Sequence, residues 1–124
     1  MKDDQATFTI HHVFGDHTNS PSGTNSHTHG LEELCGHPDL QITLPVRPEV
    51  AAAIFNRLVH LVMNCGMRFR PGDRCPKVAN AHMAIGFLPA HESGRDVLRV
   101  ILPDAEGNLD PERMDPIYRA AQFD

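Results

Sequence analysis

The segment that begins at Pro48 leaves the chain least freedom. Apolar residues recur there at helical spacing, with Val50, Ala53, Ile54, Leu58, Leu61, Val62 and Cys65 on one stripe. Proline in the first turn, Glu49 near the positive end and Gly66 just past the finish predict a helix from Pro48 to about Asn64. Such a stripe has to pack on something, and a sheet is the natural partner because the rest of the chain reads mainly as strands. On this reading Cys65 belongs to the core.

The strand signals are short. Residues alternate from Ala6 to Phe14, placing Phe8, Ile10, His12 and Phe14 on one face. Leu40 to Val46 sets Leu40, Ile42 and Leu44 against Gln41, Thr43 and Pro45. Phe69 to Asp73 reads as a short strand entering a Pro-Gly turn. Val78 to Leu88 and Asp96 to Leu102 read as two more, joined by a turn around Glu92-Ser93-Gly94. Gly15 to Ser26 has loop composition, Asp104 to Asn108 is a turn, and Pro111 to Gln122 is a short terminal helix. The expected fold is α+β, a mostly antiparallel sheet of four or five strands packed by one main helix, plus a short C-terminal helix. A length of 124 residues fits one domain, 1–124, with 1–25 as an N-terminal strand and polar loop.

Charge narrows the partners. A net charge of −5 with lysine only at Lys2 and Lys77 opposes nucleic-acid binding, which needs a basic stripe. No membrane association is expected, because the apolar stretch from Val50 to Met63 is broken by Asn56, Arg57 and His60 and is too short to span. Met1-Lys2-Asp3-Asp4 opens no secretory signal. Cys35, Cys65 and Cys75 are odd in number and form no close pair, which points to reduced thiols in a cytoplasm.

Histidine is the anomaly, with nine in the chain. His11, His12, His17, His27, His29 and His37 all fall early. In an extended segment His27 and His29 project from one face, so both imidazoles can approach one cation. Cys35, His37, Glu32, Glu33 or Asp39 would complete the set. The candidate metal ligands are therefore His27, His29 and His37, for a divalent transition metal such as zinc whose open position would activate water. Hydrogen-bonded structural histidines are the plainer alternative, since His-Glu-x-x-His and paired Cys-x-x-Cys motifs are lacking. A cupin pattern fails at Leu40, where glycine is needed, and a histidine triad fails at Leu31. Cys35 with His37 as nucleophile and base lacks an orienting group. Arg68, Arg70 and Arg74 read as a solvated turn that would meet, at most, an anion.

Thr28-His29-Gly30-Leu31, then Gly36-His37-Pro38-Asp39-Leu40-Gln41-Ile42, resemble a bacterial family catalogued as domain of unknown function 4262. The resemblance continues through the helix after Pro48 to Phe69, Pro71-Gly72-Asp73, Leu98-Arg99-Val100, Pro103-Asp104 and Gly107-Asn108, covering most of residues 26 to 123. It implies a small bacterial α+β protein and carries no assigned activity or catalytic residue. Two functional expectations stand beside it. One is a non-catalytic protein-interaction or regulatory module, with a protein partner or a second copy as its ligand. The other is a ligand-binding or metal-dependent hydrolytic enzyme centred on His27, His29 and His37.

Overall fold

A computed structural model describes residues 8–14, 24–75, 84–92 and 94–123. Along them run strands β1 (Thr9–Phe14) and β2 (Thr24–His29), helix α1 (Leu31–Cys35), strand β3 (Leu40–Ile42) and helix α2 (Pro48–Cys65). Strands β4 (Arg74–Cys75), β5 (Ile85–Glu92) and β6 (Arg95–Ile101) follow, then helix α3 (Pro116–Gln122). The fold is α+β. One six-stranded sheet has the order β1-β2-β3-β6-β5-β4.

That sheet corrects the expectation of four or five mostly antiparallel strands. It is wider, and it is mixed, because β3 and β6 lie parallel at its centre. The return from β3 through α2 and the β5 hairpin brings β6 back alongside β3 in the same direction. A 2.8 Å bond from the Leu98 N–H to the Asp39 carbonyl starts that pairing. Strand β2 was hidden by composition. Thr24, Asn25 and Ser26 read as loop, yet β2 pairs with β1 on one side and β3 on the other, and pairing outweighs propensity. The loop's earlier part, 15–23, lies outside the described residues, as do 1–7 and the 78–83 portion of the expected Val78–Leu88 strand. Strand β3 ends sooner than expected, since Val46 N–H turns back to the Leu44 carbonyl around Pro45.

Helix α2 has the bounds its sequence announced. Pro48 occupies the first turn, and Gly66, left-handed at φ 72, closes the other end with its N–H on the Leu61 carbonyl. Its buried face is Ala51, Ile54, Phe55, Leu58, Val59 and Val62. The expected stripe was rotated by about one residue: Ala53 and Cys65 are exposed, while Val50 and Leu61 are partly buried. Period alone leaves rotation about the helix axis open, and packing chose the face with the fully buried Phe55. This face meets Leu40, Ile42, Ile85, Phe87, Leu98, Val100 and Leu102 in one core. Each such side chain contributes about 1.5–3 kcal/mol by leaving water.

Helix α1 is short, and the chain enters and leaves it through glycines. Gly30 at φ 106 and Gly36 at φ 76 are left-handed, a conformation that costs a side-chain-bearing residue roughly 1–2 kcal/mol. At the far end of the chain, α3 is tied down by an amide. Gln122 Oε1 accepts from the Leu102 N–H at 2.7 Å, and its Nε2 donates to the Leu102 carbonyl at 3.0 Å. Gln122 thus pairs with the Leu102 peptide as a neighbouring strand would. Ile101, Leu109 and Met114 form a second cluster with Tyr118 and Phe123 packed against it. Among the described residues no helix is long and apolar enough to cross a membrane.

Candidate functional site

Side chains alternate along strands, and register decides which of them stand side by side. His11 is opposite His27, His27 opposite Gln41, and Gln41 opposite Arg99. Their in-strand neighbours Ile10, Leu40, Ile42, Leu98 and Val100 pack in the α2 core. The row His11–His27–Gln41–Arg99 therefore crosses the sheet on the face away from α2. Arg99 Nε donates to Gln41 Oε1 at 2.9 Å and Arg99 Nη1 to the Gln122 carbonyl at 2.9 Å, which fixes the inner half of the row. Gln41 Nε2 donates to the His91 carbonyl at 3.3 Å.

The outer half is a cluster of imidazoles. The His11 and His27 rings stack at a centroid distance of 5.2 Å with 11° between their planes. His29, two residues along β2, meets His11 edge-on at 5.6 Å and 76°. His27 is buried, while His11 and His29 are exposed. Thr9 Oγ1 lies 3.2 Å from His11 Nε2. The expected placement of His27 and His29 on one face holds, and His11 joins them from the neighbouring strand.

His37 does not complete that set. Its Nδ1–H donates to the Pro38 carbonyl at 2.8 Å, and its Nε2 accepts from the Phe69 N–H at 3.0 Å. A carbonyl only accepts and a peptide N–H only donates, so the ring is the neutral Nδ1–H tautomer with both nitrogens engaged. Burial pulls its pKa below the ordinary histidine value, with Arg68 acting the same way and outweighing the Pro38 bond and Asp39. His37 is a structural histidine that locks the turn after α1 to the segment after α2.

Asp39 is likewise absorbed by the fold. Its side chain is fully buried. Oδ1 accepts from Thr28 Oγ1 and from the Leu31 N–H, each at 2.8 Å, and Oδ2 accepts from Arg95 Nη1 at 2.8 Å. Thr28 Oγ1 in turn accepts from the Leu40 N–H at 2.9 Å. Burial would raise the Asp39 pKa, but the bonds from Leu31, Arg95 and Thr28 outweigh it and hold the carboxyl below its usual range. Glu32 and Glu33 are exposed on α1, and Cys35 donates its thiol to the Leu31 carbonyl at 3.4 Å. Among the described residues no group of three His, Cys, Asp or Glu side chains is arranged to hold a metal ion.

The same sheet face carries a cleft at its other edge. Its volume is about 330 Å³, and Leu88, Ile101, Leu109 and Phe123 contribute apolar walls. Asp73, Arg74 and Asp110 supply its charges. Neither this cleft nor the Gln41–Arg99 pair was anticipated from sequence. Arg99 was the available signal, because a cation inside the most apolar strand has to find a polar neighbour.

Fold and site together define an α+β protein with a mixed sheet, one face covered by α2 and the other carrying the Gln41–Arg99 row and the cleft. Comparison with protein-family models, with curated proteins and with solved structures finds no match.

Proposed function

We propose that this chain is a non-catalytic interaction or regulatory module that receives a protein partner on the clefted face of its sheet. The observation that carries the reading is the cleft, whose apolar walls and mixed-sign charges suit one apolar side chain flanked by polar main chain and charge. Asp73 and Asp110 face a partner's cations there, and Arg74 its carboxylates. We place the protein in a reducing cytoplasm. Cys35, Cys65 and Cys75 as free thiols support that placement.

Membership of the domain of unknown function 4262 family is part of the proposal and rests on the residue blocks alone. Thr28, Leu31, His37 and Asp39 in those blocks share a structural logic, since all four take part in the buried hydrogen bonds that join β2, α1, β3 and the segment after α2. A hydrolytic centre at His27, His29 and His37 is the weaker reading, because both nitrogens of His37 are engaged elsewhere.

Site-specific photocrosslinking tests the interaction reading. A benzophenone side chain replacing Leu88 in the cleft should give a saturable adduct with one protein species, or with a second copy of the chain. The adduct should disappear in a Phe123→Arg background. The same group at Asn56, on the exposed side of α2, should give none. Equal labelling from both positions, or no protein adduct from the cleft, would rule the reading out.

A further inference from the structure

The imidazole cluster on β1 and β2 supports a second site, separate from the cleft. We propose that His11, His27 and His29 form a binding site for a divalent transition metal of the zinc, nickel or copper class. His11 and His27 are direct cross-strand neighbours, and His29 follows on the same face of β2. Three histidine nitrogens about 2.0–2.1 Å from one tetrahedral ion place their ring centres roughly 5–5.5 Å apart. The rings here stand 5.2 and 5.6 Å apart. Two of the three ring pairs, both through His11, therefore already stand at the spacing of a ligand set.

Orientation is what an ion would change. At 11° the His11 and His27 rings are stacked, so their planes do not converge on one point, in keeping with the lack of a ready-made site among the described residues. Turning the exposed His11 ring exchanges its contact with Thr9 Oγ1 for a metal bond and disturbs no core packing. His29 is also exposed and free to adjust at the same small cost. A ligating imidazole normally carries a hydrogen bond on its second nitrogen, so a further interaction of His27 within the fold is compatible with ligation. Nitrogen donors without a carboxylate select zinc, nickel or copper over magnesium or calcium. Exposure of two of the ligands leaves the remaining coordination positions to water or to a ligand from outside. The site rests on β-register and ring spacing, independently of the partner cleft.

Calorimetric titration of the full, tag-free chain with zinc chloride and nickel chloride at neutral pH tests this. One ion per chain should bind. His11→Ala and His29→Ala should each weaken binding by at least about tenfold, as loss of one of three ligands requires. Both are exposed positions, and unchanged circular dichroism will show that the variants remain folded. His60→Ala and His91→Ala, at exposed positions on α2 and β5, should bind as wild type. Copper(II) spectra should show nitrogen hyperfine splitting that is reduced in the His11 and His29 variants. No saturable binding, or binding that His11→Ala and His29→Ala leave intact, would overturn the proposal.

Discussion

The Asp39 carboxylate and the Arg95 guanidinium, 56 positions apart in sequence, meet at 2.8 Å beneath the junction of β2, α1 and β6. Asp39 is fully buried and Arg95 is 27% exposed, so the pair sits at the boundary between core and solvent. Every oxygen of the acid is engaged: Thr28 and Leu31 share one, and Arg95 takes the other. A residue that the sequence offers as one of several possible third ligands is the one the fold uses as a knot.

Removing that acid should be costly. Asp39→Ala leaves the Thr28 hydroxyl, the Leu31 N–H and the Arg95 guanidinium without their shared acceptor, and should cost about 3–5 kcal/mol in urea unfolding. Because its folded pKa is depressed, Asp39 contributes stability that is present above the unfolded carboxyl pKa and is lost as pH falls through the folded value. Wild type should therefore lose stability below about pH 4, and Asp39→Asn should show a flatter acid limb. An acid limb identical in the two proteins would contradict this assignment.

His37 should titrate below free histidines. Its folded pKa lies below the ordinary value, so its contribution is complete above about pH 6.5 and declines as pH falls below that. Nitrogen-detected NMR should report the Nδ1–H tautomer throughout the neutral range. His37→Ala should destabilise by roughly 1–3 kcal/mol through the orphaned Phe69 N–H and Pro38 carbonyl, with no dependence on chelator.

Asp104 should titrate at about 2, because N–H groups of Asn108 and Asp115, the Asn108 side chain and the Glu106 N–H converge on its carboxylate. Its stabilising effect is present above the unfolded value near 3.9 and is lost as pH drops through about 2. Carbon-detected NMR of the carboxyl is the direct check. Asp104→Ala should also loosen the turn that leads into α3, seen as faster amide exchange at Asn108 and Asp115.

The thiols provide a test of the helix face. Cys65 is exposed and Cys75 is buried, so a thiol reagent should modify Cys65 rapidly in the native protein and reach Cys75 only on unfolding. Leu58→Ala, on the buried side of the same helix, should cost about 2–5 kcal/mol in chemical denaturation. Native protection of Cys65 would mean that α2 is turned the other way.

Local chemistry was sufficient for some of this protein. Pro48, Glu49 and Gly66 defined α2 almost to the residue, the apolar run Val97–Leu102 announced β6, and His27-Thr28-His29 declared a shared face. These depend on backbone preference and period, which act over a few neighbours. Tertiary structure decided what period leaves open. It rotated α2 so that Phe55 and Val59 went inward and Cys65 outward, because rotation about a helix axis is settled by the opposing surface. It made a strand of Thr24-Asn25-Ser26, because pairing with β1 along all three residues, joined by β3 at Ser26, outweighs weak strand propensity. It also exchanged His37 for His11 in the imidazole cluster. Cross-strand register, which alone sets His11 beside His27, joins residues that are distant in sequence and leaves no trace in the spacing of either.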